Sequence, residues 1–326
     1  MAARAPIPWL RPLAWMYGLG VALRNAGFDR GLREVGRLPV PVLSVGNLAA
    51  GGTNKTPLVA WLVARLRRDG LRVGVLARGY GREPGRELND EGRLLAGRFP
   101  DLPQVQDPDR VAGGLRLCAG HELDVVLLDD GFQHRRLHRD ADLVCLDAAD
   151  PGGGGLLPAG WLREPPSSLR RADLLVFTGA GRDDGERARL EAFAERWAPG
   201  RPRCRCRLEP DALVPAGGGP ARPAAELRGR RVLLLAGIAR PERFRASVEA
   251  LGAEVLGARW LDDHAAIPGD LLAELSRRAE GEGATLLLTE KDEARLDLRG
   301  GPARSHLRME LVFDEEPDPG RLLPRG

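Results

Sequence analysis

Little in this 326-residue chain invites covalent bracing: it has four cysteines, Cys118, Cys145, Cys204 and Cys206. Disulfide-framed domains are small and far denser in cysteine, so no such framework is expected. Cys204 and Cys206 would share one face of a strand, but a structural zinc takes four ligands and no others are spaced nearby. They are read as buried or idle thiols. A charge excess is lacking too. With 49 Lys and Arg against 46 Asp and Glu, and no basic stretch interleaved with aromatics, nucleic acid is not expected as a partner. Internal repeats and long disordered tracts are absent.

No hydrophobic run is long enough to cross a bilayer. The uninterrupted apolar part of the N-terminal region, Pro12 to Leu23, has 12 residues, against the roughly 20 that a spanning helix requires. No small-residue cleavage site follows it, so a signal peptide is not expected. What is there is a helical face. Trp9, Leu13, Met16, Gly20 and Leu23 recur at steps of four and three, with Arg4, Arg11, Arg24, Arg30 and Arg33 around them. A helix over about residues 9–28 could lie in a membrane interface or dock on the protein's own core.

The stretch Pro41–Thr56, PVLSVGNLAAGGTNKT, reads as strand, glycine loop and helix start. Lys55-Thr56-Pro57 opens an apolar helical pattern, and Pro57 suits a first turn that has no use for its N–H. This is the anatomy of a phosphate-binding loop. Loop amides and the helix dipole favour an anion there. Lys55 could reach the β- and γ-phosphates and Thr56 could ligate Mg²⁺. The textual pattern wants glycines where Ala49 and Asn54 stand, while Gly51, Gly52 and Thr53 lie between. Asn tolerates left-handed backbone better than other non-glycine residues. An ordinary glycine-rich turn is the bland alternative.

Short apolar runs alternate with helical segments along the chain: Val40–Val45, Val73–Ala77, Asp124–Leu128, Ala141–Leu146 and Leu174–Thr178. They predict an α/β fold, a P-loop NTPase-like parallel sheet with helices on both faces. A charged helix follows at Asp183–Trp197, then a linker at Pro199–Pro202 and a loop at Pro210–Pro223. A second α/β set begins at Val232–Ala236 and ends with Met309–Phe313. The expected division is a phosphate-loop domain over 1–200 and a smaller α/β domain over 201–326. Ligands of such sheets sit at the carboxyl ends of strands. There the chain carries the loop and also Asp129-Asp130-Gly131-Phe132-Gln133-His134. Two adjacent acids are costly at a strand end unless a cation neutralises them. Asn89-Asp90-Glu91, Leu162-Arg163-Glu164-Pro165, Asp262-Asp263-His264 and Thr289-Glu290-Lys291-Asp292 are further acidic points.

Taken together, these residues resemble the tetraacyldisaccharide 4′-kinase family, the lipid A 4′-kinases of Gram-negative bacteria. The match runs from Val45-Gly46-Asn47-Leu48 and Gly51-Gly52-Thr53 through Lys55-Thr56-Pro57, Ala77 to Gly81, Asp90-Glu91 and Asp109-Arg110. It continues through Asp129 to His134, Leu162 to Pro165, Asp263-His264 and Thr289 to Asp292. The resemblance implies transfer of the γ-phosphoryl of ATP to the 4′-hydroxyl of tetraacyldisaccharide 1-phosphate, giving lipid IV-A. It places the work at the cytoplasmic face of the inner membrane, with the N-terminal helix meeting the lipid surface. Carried over, Lys55 stabilises the transferring phosphoryl and Gly51, Gly52, Thr53, Asn54 and Lys55 cradle the nucleotide. Thr56, Asp129, Asp130 and Glu164 organise Mg²⁺. Gln133 and Arg163 lie near the phosphates. Asp90 takes the proton from the sugar hydroxyl, paired with His264 of the second domain, so that domain closure would assemble the site. A monomer is expected. Asn54 departs from the family's usual glycine, and Ala265, Ala266 and Ile267 replace the histidine and aromatic that often follow His264.

Two other readings stand beside it. A phosphate-loop ATPase or GTPase of metal insertion or biosynthetic ligation would share the sheet and the acids. It would not need the apolar helix, and a GTPase would carry an Asn-Lys-x-Asp run, which is missing. A nucleotide-gated membrane-surface adaptor would keep the loop and have no need of Asp90.

Overall fold

After a single 3-10 turn at Pro8–Leu10, Arg11–Asp29 forms α1. The chain then runs through β1 (Val42–Asn47), α2 (Lys55–Arg68), β2 (Val73–Ala77) and α3 (Asp90–Arg98). Next come β3 (Gln104–Gln106), α4 (Arg110–Gly120), β4 (Val125–Asp129), β5 (Ala141–Asp147), β6 (Leu174–Thr178) and α5 (Asp184–Trp197). The last part holds β7 (Arg203–Pro215), β8 (Arg222–Pro223), β9 (Arg231–Ala236), α6 (Pro241–Ala250) and β10 (Glu254–Trp260). It ends with α7 (Gly269–Gly281), β11 (Thr285–Thr289), α8 (Glu290–Arg295) and β12 (Ser305–Phe313). The structure, a computed structural model, describes residues 6–50, 55–82, 85–148, 150–179, 184–216, 219–263, 265–296 and 301–324.

The chain divides into two units: Met1–Tyr80, Asp101–Leu208 and Leu311–Gly326 in the first, Gly81–Pro100 and Glu209–Glu310 in the second. The expected cut at residue 200 is a single one. The observed division has two extra exchanges, with α3 in the second unit and the chain's last residues in the first.

In the first unit the strands stand in the order β7-β6-β5-β1-β4-β2-β3, each pair parallel. Parallel pairing requires crossovers, and the helices that make them cover both faces, so the central strands read as unbroken apolar runs. Every residue of β1 is buried. The chain leaves β1 toward β2 on one side and later returns to β5 on the other, which makes the carboxyl end of β1 a switch point where α/β sheets bind ligands. Apolar residues divide between a cluster with Val144, Leu146, Phe177, Leu190 and Ala194 under α5 and one with Leu76, Leu117, Val126 and Leu128 under α4.

The second unit shows the two-residue strand period plainly. Val232, Leu234 and Ala236 of β9 pack with Phe244 and Val248 of α6. The intervening Leu233 and Leu235 pack with Leu272, Leu275 and Ala279 of α7. Alternate side chains of one strand point to opposite faces, so α6 and α7 lie on opposite sides of the parallel set β10-β9-β11-β12.

The residues expected as a loop at Pro210–Pro223 instead extend β7 to Pro215, where Ala212 and Leu213 are buried and pair antiparallel with Pro223 and Arg222. Proline and glycine mark turns locally, but burial of an Ala-Leu pair outweighs them here. Cys204 and Cys206 do share one strand face, and burial pushes both thiols up to about 12.

Candidate active site

Lys55 and Thr56 are the first two residues of α2, directly after the glycine loop. Gly51, Gly52, Thr53 and Asn54 themselves lie outside the described residues. The approach to the loop is braced from outside β1. Ala50 N donates to Trp161 O at 2.7 Å, and Arg163 N donates to Leu48 O at 2.8 Å. Residues 161–163 therefore run along the chain entering the loop, with Ala49 and Leu162 bridged antiparallel.

The acidic pair is split by the backbone. Asp129 closes β4 in register with Val45 of β1 and is buried. Asp130 follows with φ 52°, the one non-glycine residue in the left-handed region among those described. Aspartate tolerates that conformation better than most residues. The turn is packed tightly onto β1: a Cβ on Gly46 would stand 2.4 Å from Phe132 Cβ, and one on Gly131 would stand 2.5 Å from Leu128 Cδ2. Neither glycine leaves room for any side chain.

Asp130 is held by a guanidinium fork. Arg163 Nη1 donates to Asp130 Oδ2 and Nη2 to Oδ1, each at 2.7 Å, and Lys55 Nζ lies 3.6 Å from Oδ1. Such a bidentate pair fixes orientation as well as charge. Burial works against the ionised carboxyl, yet the bonds from Arg163 and the charge of Lys55 hold it down at about 2. Arg163 Nη2 also donates to the Asn47 carbonyl at 3.3 Å, and Gln133 Nε2 donates to the same oxygen at 2.8 Å. Lys55, Asp130, Gln133 and Arg163 are thus gathered at the carboxyl ends of β1 and β4.

Glu164, expected among the metal ligands, is placed otherwise. It is completely buried, and its oxygens accept from Arg24 Nη2 (2.8 Å), Asn25 Nδ2 (3.0 Å) and Arg171 Nη2 (2.9 Å). The partners it shows are thus side chains of α1 and Arg171. Asp130 has each oxygen on an Arg163 N–H. Among the described residues no three His, Cys, Asp or Glu side chains stand together as a metal cage. Mg²⁺ does not need one, since it keeps waters and is held through one or two protein oxygens plus substrate phosphates. The hydroxyl of Thr56 and the buried carboxylate of Asp129 are hard oxygen donors of that kind, so the residues present fit the ion.

Arg110 entered the sequence reading only as part of a motif. The structure makes it part of the site's charge balance. It opens α4 behind its N-cap Asp109 and is 4% exposed. Burial and the charge of Arg78 push its guanidinium down, while Asp130, Asp107 and Asp129 pull it up. An arginine at N1 gave no signal of burial, because the residues that surround it come from elsewhere in the chain.

The second unit has its own polar cluster around Asp90. Asn89 caps α3 by accepting from Gly92 N at 3.0 Å, which leaves Asp90 at the first helical position. Arg295 Nε donates to Asp90 Oδ2 at 2.9 Å. The same guanidinium, through Nη1, donates to Asp292 Oδ1 (3.0 Å) and Gly237 O (2.8 Å). Asp292 is fully buried, accepts from Gly237 N at 3.0 Å and is bonded by Thr289 Oγ1. Thr289 to Asp292 is therefore an N-capping turn that anchors Arg295, one helical turn on. The i,i+3 spacing of Asp292 and Arg295 was the available signal. His264 lies outside the described residues.

Two half-buried histidines give the stability a pH dependence. Burial, then neighbouring arginines, push His134 down to about 4 from 6.5, and His306 is pushed down to about 4 in the same way. Between those values the unfolded chain binds protons that the folded chain does not, so stability is full above about pH 6.5 and is lost as pH falls toward 4. We expect the urea midpoint to drop between pH 7 and pH 5, and His306→Leu to flatten that slope. An unchanged slope in the variant would remove His306 from the effect.

Against known proteins, residues 7–323 match the model of the family described as tetraacyldisaccharide-1-P 4′-kinase. The chain is 43% identical over 293 residues to the tetraacyldisaccharide 4′-kinase of Anaeromyxobacter dehalogenans strain 2CP-C, covering 85% of this chain and 78% of that protein. It is 40% identical over 351 residues to that of Syntrophus aciditrophicus, covering 94% and 93%. It is also similar to a crystal structure of "apo" form LpxK from Aquifex aeolicus in complex with ATP, with TM-score 0.76, 30% identity and 97% and 96% of the two chains covered.

Proposed function

We propose a site chemistry from one premise: this chain belongs to the tetraacyldisaccharide-1-P 4′-kinase family. It is a phosphotransferase of lipid A biosynthesis, and its substrate is a lipid A precursor. The single observation that carries the site assignment is Lys55, at the start of α2, 3.6 Å from an Asp130 that Arg163 already neutralises. The ammonium stands beside an anion that keeps a second cation, Arg163, on both its oxygens, so Lys55 can turn to a phosphate without leaving Asp130 bare.

On this reading ATP is the phosphoryl donor. The amino end of α2 receives its phosphates, where backbone N–H groups and the helix dipole favour negative charge. Lys55 follows the transferring phosphoryl and offsets the charge on its oxygens. Thr56 and Asp129 would hold Mg²⁺, which would supply further charge neutralisation. Arg163 fixes Asp130, and Gln133 with Arg163 fixes the Asn47 carbonyl at the mouth of the loop. Asp90 accepts the proton of the 4′-hydroxyl, a role that asks only for hydrogen-bond reach and a suitable carboxylate. His264 is its expected partner.

The lipid substrate gives α1 a purpose. Its buried side is Ala14, Val21 and Asn25, while Trp15, Met16 and Leu23, together with Trp9 in the turn before it, are each more than 60% exposed. So large an apolar surface is costly in water and marks a place of contact. No helix among the described residues is long and apolar enough to cross a membrane. An exposed apolar face with Arg11 and Arg30 beside it suits a helix lying in the interface plane, at the cytoplasmic face of the inner membrane.

One experiment tests both parts: γ-labelled ATP and tetraacyldisaccharide 1-phosphate presented in phospholipid vesicles. Label in the lipid and cosedimentation of protein with vesicles are expected. ATP hydrolysed with no label in the lipid would favour an ATPase. Transfer without cosedimentation would remove the role of α1.

A further inference from the structure

Glu164 is a fully buried carboxylate that the phosphoryl-transfer chemistry above does not use. Everything that touches it belongs to one bracing network in the first unit. On one side is α1, through Arg24 and Asn25. On the other is Arg171, whose guanidinium lies 4.4 Å over the Phe132 ring and donates to the Phe132 carbonyl at 3.4 Å. Phe132 is two residues beyond Asp130, in the turn that Gly46 and Gly131 admit. The residue before Glu164 is Arg163, the fork on Asp130. Its carbonyl is held in turn by α1, since Tyr17 Oη donates to Arg163 O at 2.8 Å. Arg135, beyond the same turn, donates to Asn25 O at 3.1 Å and to Asp29 Oδ1 at 2.7 Å. The helix with the exposed apolar face is thus bonded at four places to the two segments that meet at Asp130.

We infer that Glu164 is a positioning residue of the phosphate site: it fastens α1 and Arg171 to the segment bearing Arg163, and so keeps the Arg163 fork on Asp130 and the 161–163 brace on the loop. The inference rests on the phosphate site assigned above. A buried carboxylate between two arginines is ionised at a cost in desolvation, and that cost is recovered only while its partners stay in place. The arrangement therefore has one geometry, which Arg163 inherits through the next peptide bond. Burial opposes the charge of Glu164, and Arg171, Ser168 and Asn25 hold the carboxyl ionised nonetheless.

The test is a double-mutant cycle with magnesium-ATP as the probe, read by calorimetry, and amide hydrogen exchange on the nucleotide-free protein. Glu164→Gln should weaken ATP binding about tenfold in the wild type and less than about twofold in the Arg163→Ala background, because the effect passes through Arg163. Tyr17→Phe, which deletes only the hydroxyl on the Arg163 carbonyl, should weaken it in the same direction by about twofold to threefold. Both variants should speed exchange at residues 130–134 and 161–163. Equal effects of Glu164→Gln in the two backgrounds would mean general destabilisation and would overturn the inference. So would an unchanged affinity in Tyr17→Phe, which decides the matter even where Glu164→Gln does not fold. If the wild type binds no ATP, the phosphate-site assignment fails by itself. Unchanged exchange in both variants would then also reject the bracing role.

Discussion

Lys55→Ala is expected to cut label transfer from ATP to the lipid by at least about a hundredfold, the scale of losing one preorganised charge partner of a transition state. The structure says why the loss should be catalytic and not structural. Lys55 is largely buried, with a side chain 14% exposed, and the nearest anion is Asp130. Truncation does not leave that anion bare, because both Asp130 oxygens still accept from Arg163. The usual penalty for breaking a buried pair, an uncompensated charge, is therefore avoided. The helix start is indifferent to the change, since alanine is the best helix former. The melting temperature should stay within a few degrees of wild type while transfer falls. Lys55→Arg should not restore transfer, because a planar fork cannot replace a compact ammonium on a flexible stem. Near-normal transfer in Lys55→Ala would sink the assignment of the loop.

That residue was legible in the sequence, and the reason is local. Strand, glycine loop and Lys-Thr are consecutive, so their meaning does not depend on distant parts of the chain. The same holds for Asp129 and Asp130, which follow an apolar run ending at a strand's carboxyl end. Glu164 shows the limit. The family resemblance implied a metal ligand there, while its partners Arg24 and Asn25 precede it by 140 and 139 residues. No spacing rule reports such a contact. The helix α4 was missed for another reason. Its sequence RVAGGLRLCAG has three glycines, poor helix formers. Two of the three stand where packing admits only a small residue: a Cβ on Gly113 would stand 2.7 Å from Asp107 Cβ, and one on Gly114 would stand 2.7 Å from Leu38. Tertiary packing overrode propensity. The strand β3, Gln104–Gln106, is three half-buried residues and carries no alternation to read. That α3 belongs with residues 209–310 is likewise invisible along the chain, where it simply follows β2.

Asp90→Ala is expected to lower transfer by about a hundredfold to ten-thousandfold, the range of removing a general base, while magnesium-ATP still binds. Asp90→Asn should do nearly the same, because the amide keeps the shape and loses the basicity. The competing account is structural: an acid at the first position of α3 interacts favourably with the helix dipole, worth about 0.3–1 kcal/mol. That account predicts a small change in stability and unchanged transfer at 25 °C. The surroundings of Asp90 make the two separable. Asn89 caps α3 without it. Arg295, the group that would be left beside the gap, keeps Asp292 and the Gly237 carbonyl as partners. Asp292, fully buried and tied to Gly237 N, holds that guanidinium in place whether or not Asp90 is present. So the fold should survive the substitution, and a lost rate cannot be assigned to a lost structure. Transfer reduced with ATP binding intact would support proton removal by Asp90 and exclude a nucleotide-gated adaptor, which has no use for a base. Transfer within about threefold of wild type would make Asp90 an ordinary helix-terminal acid, and the base would have to be sought elsewhere.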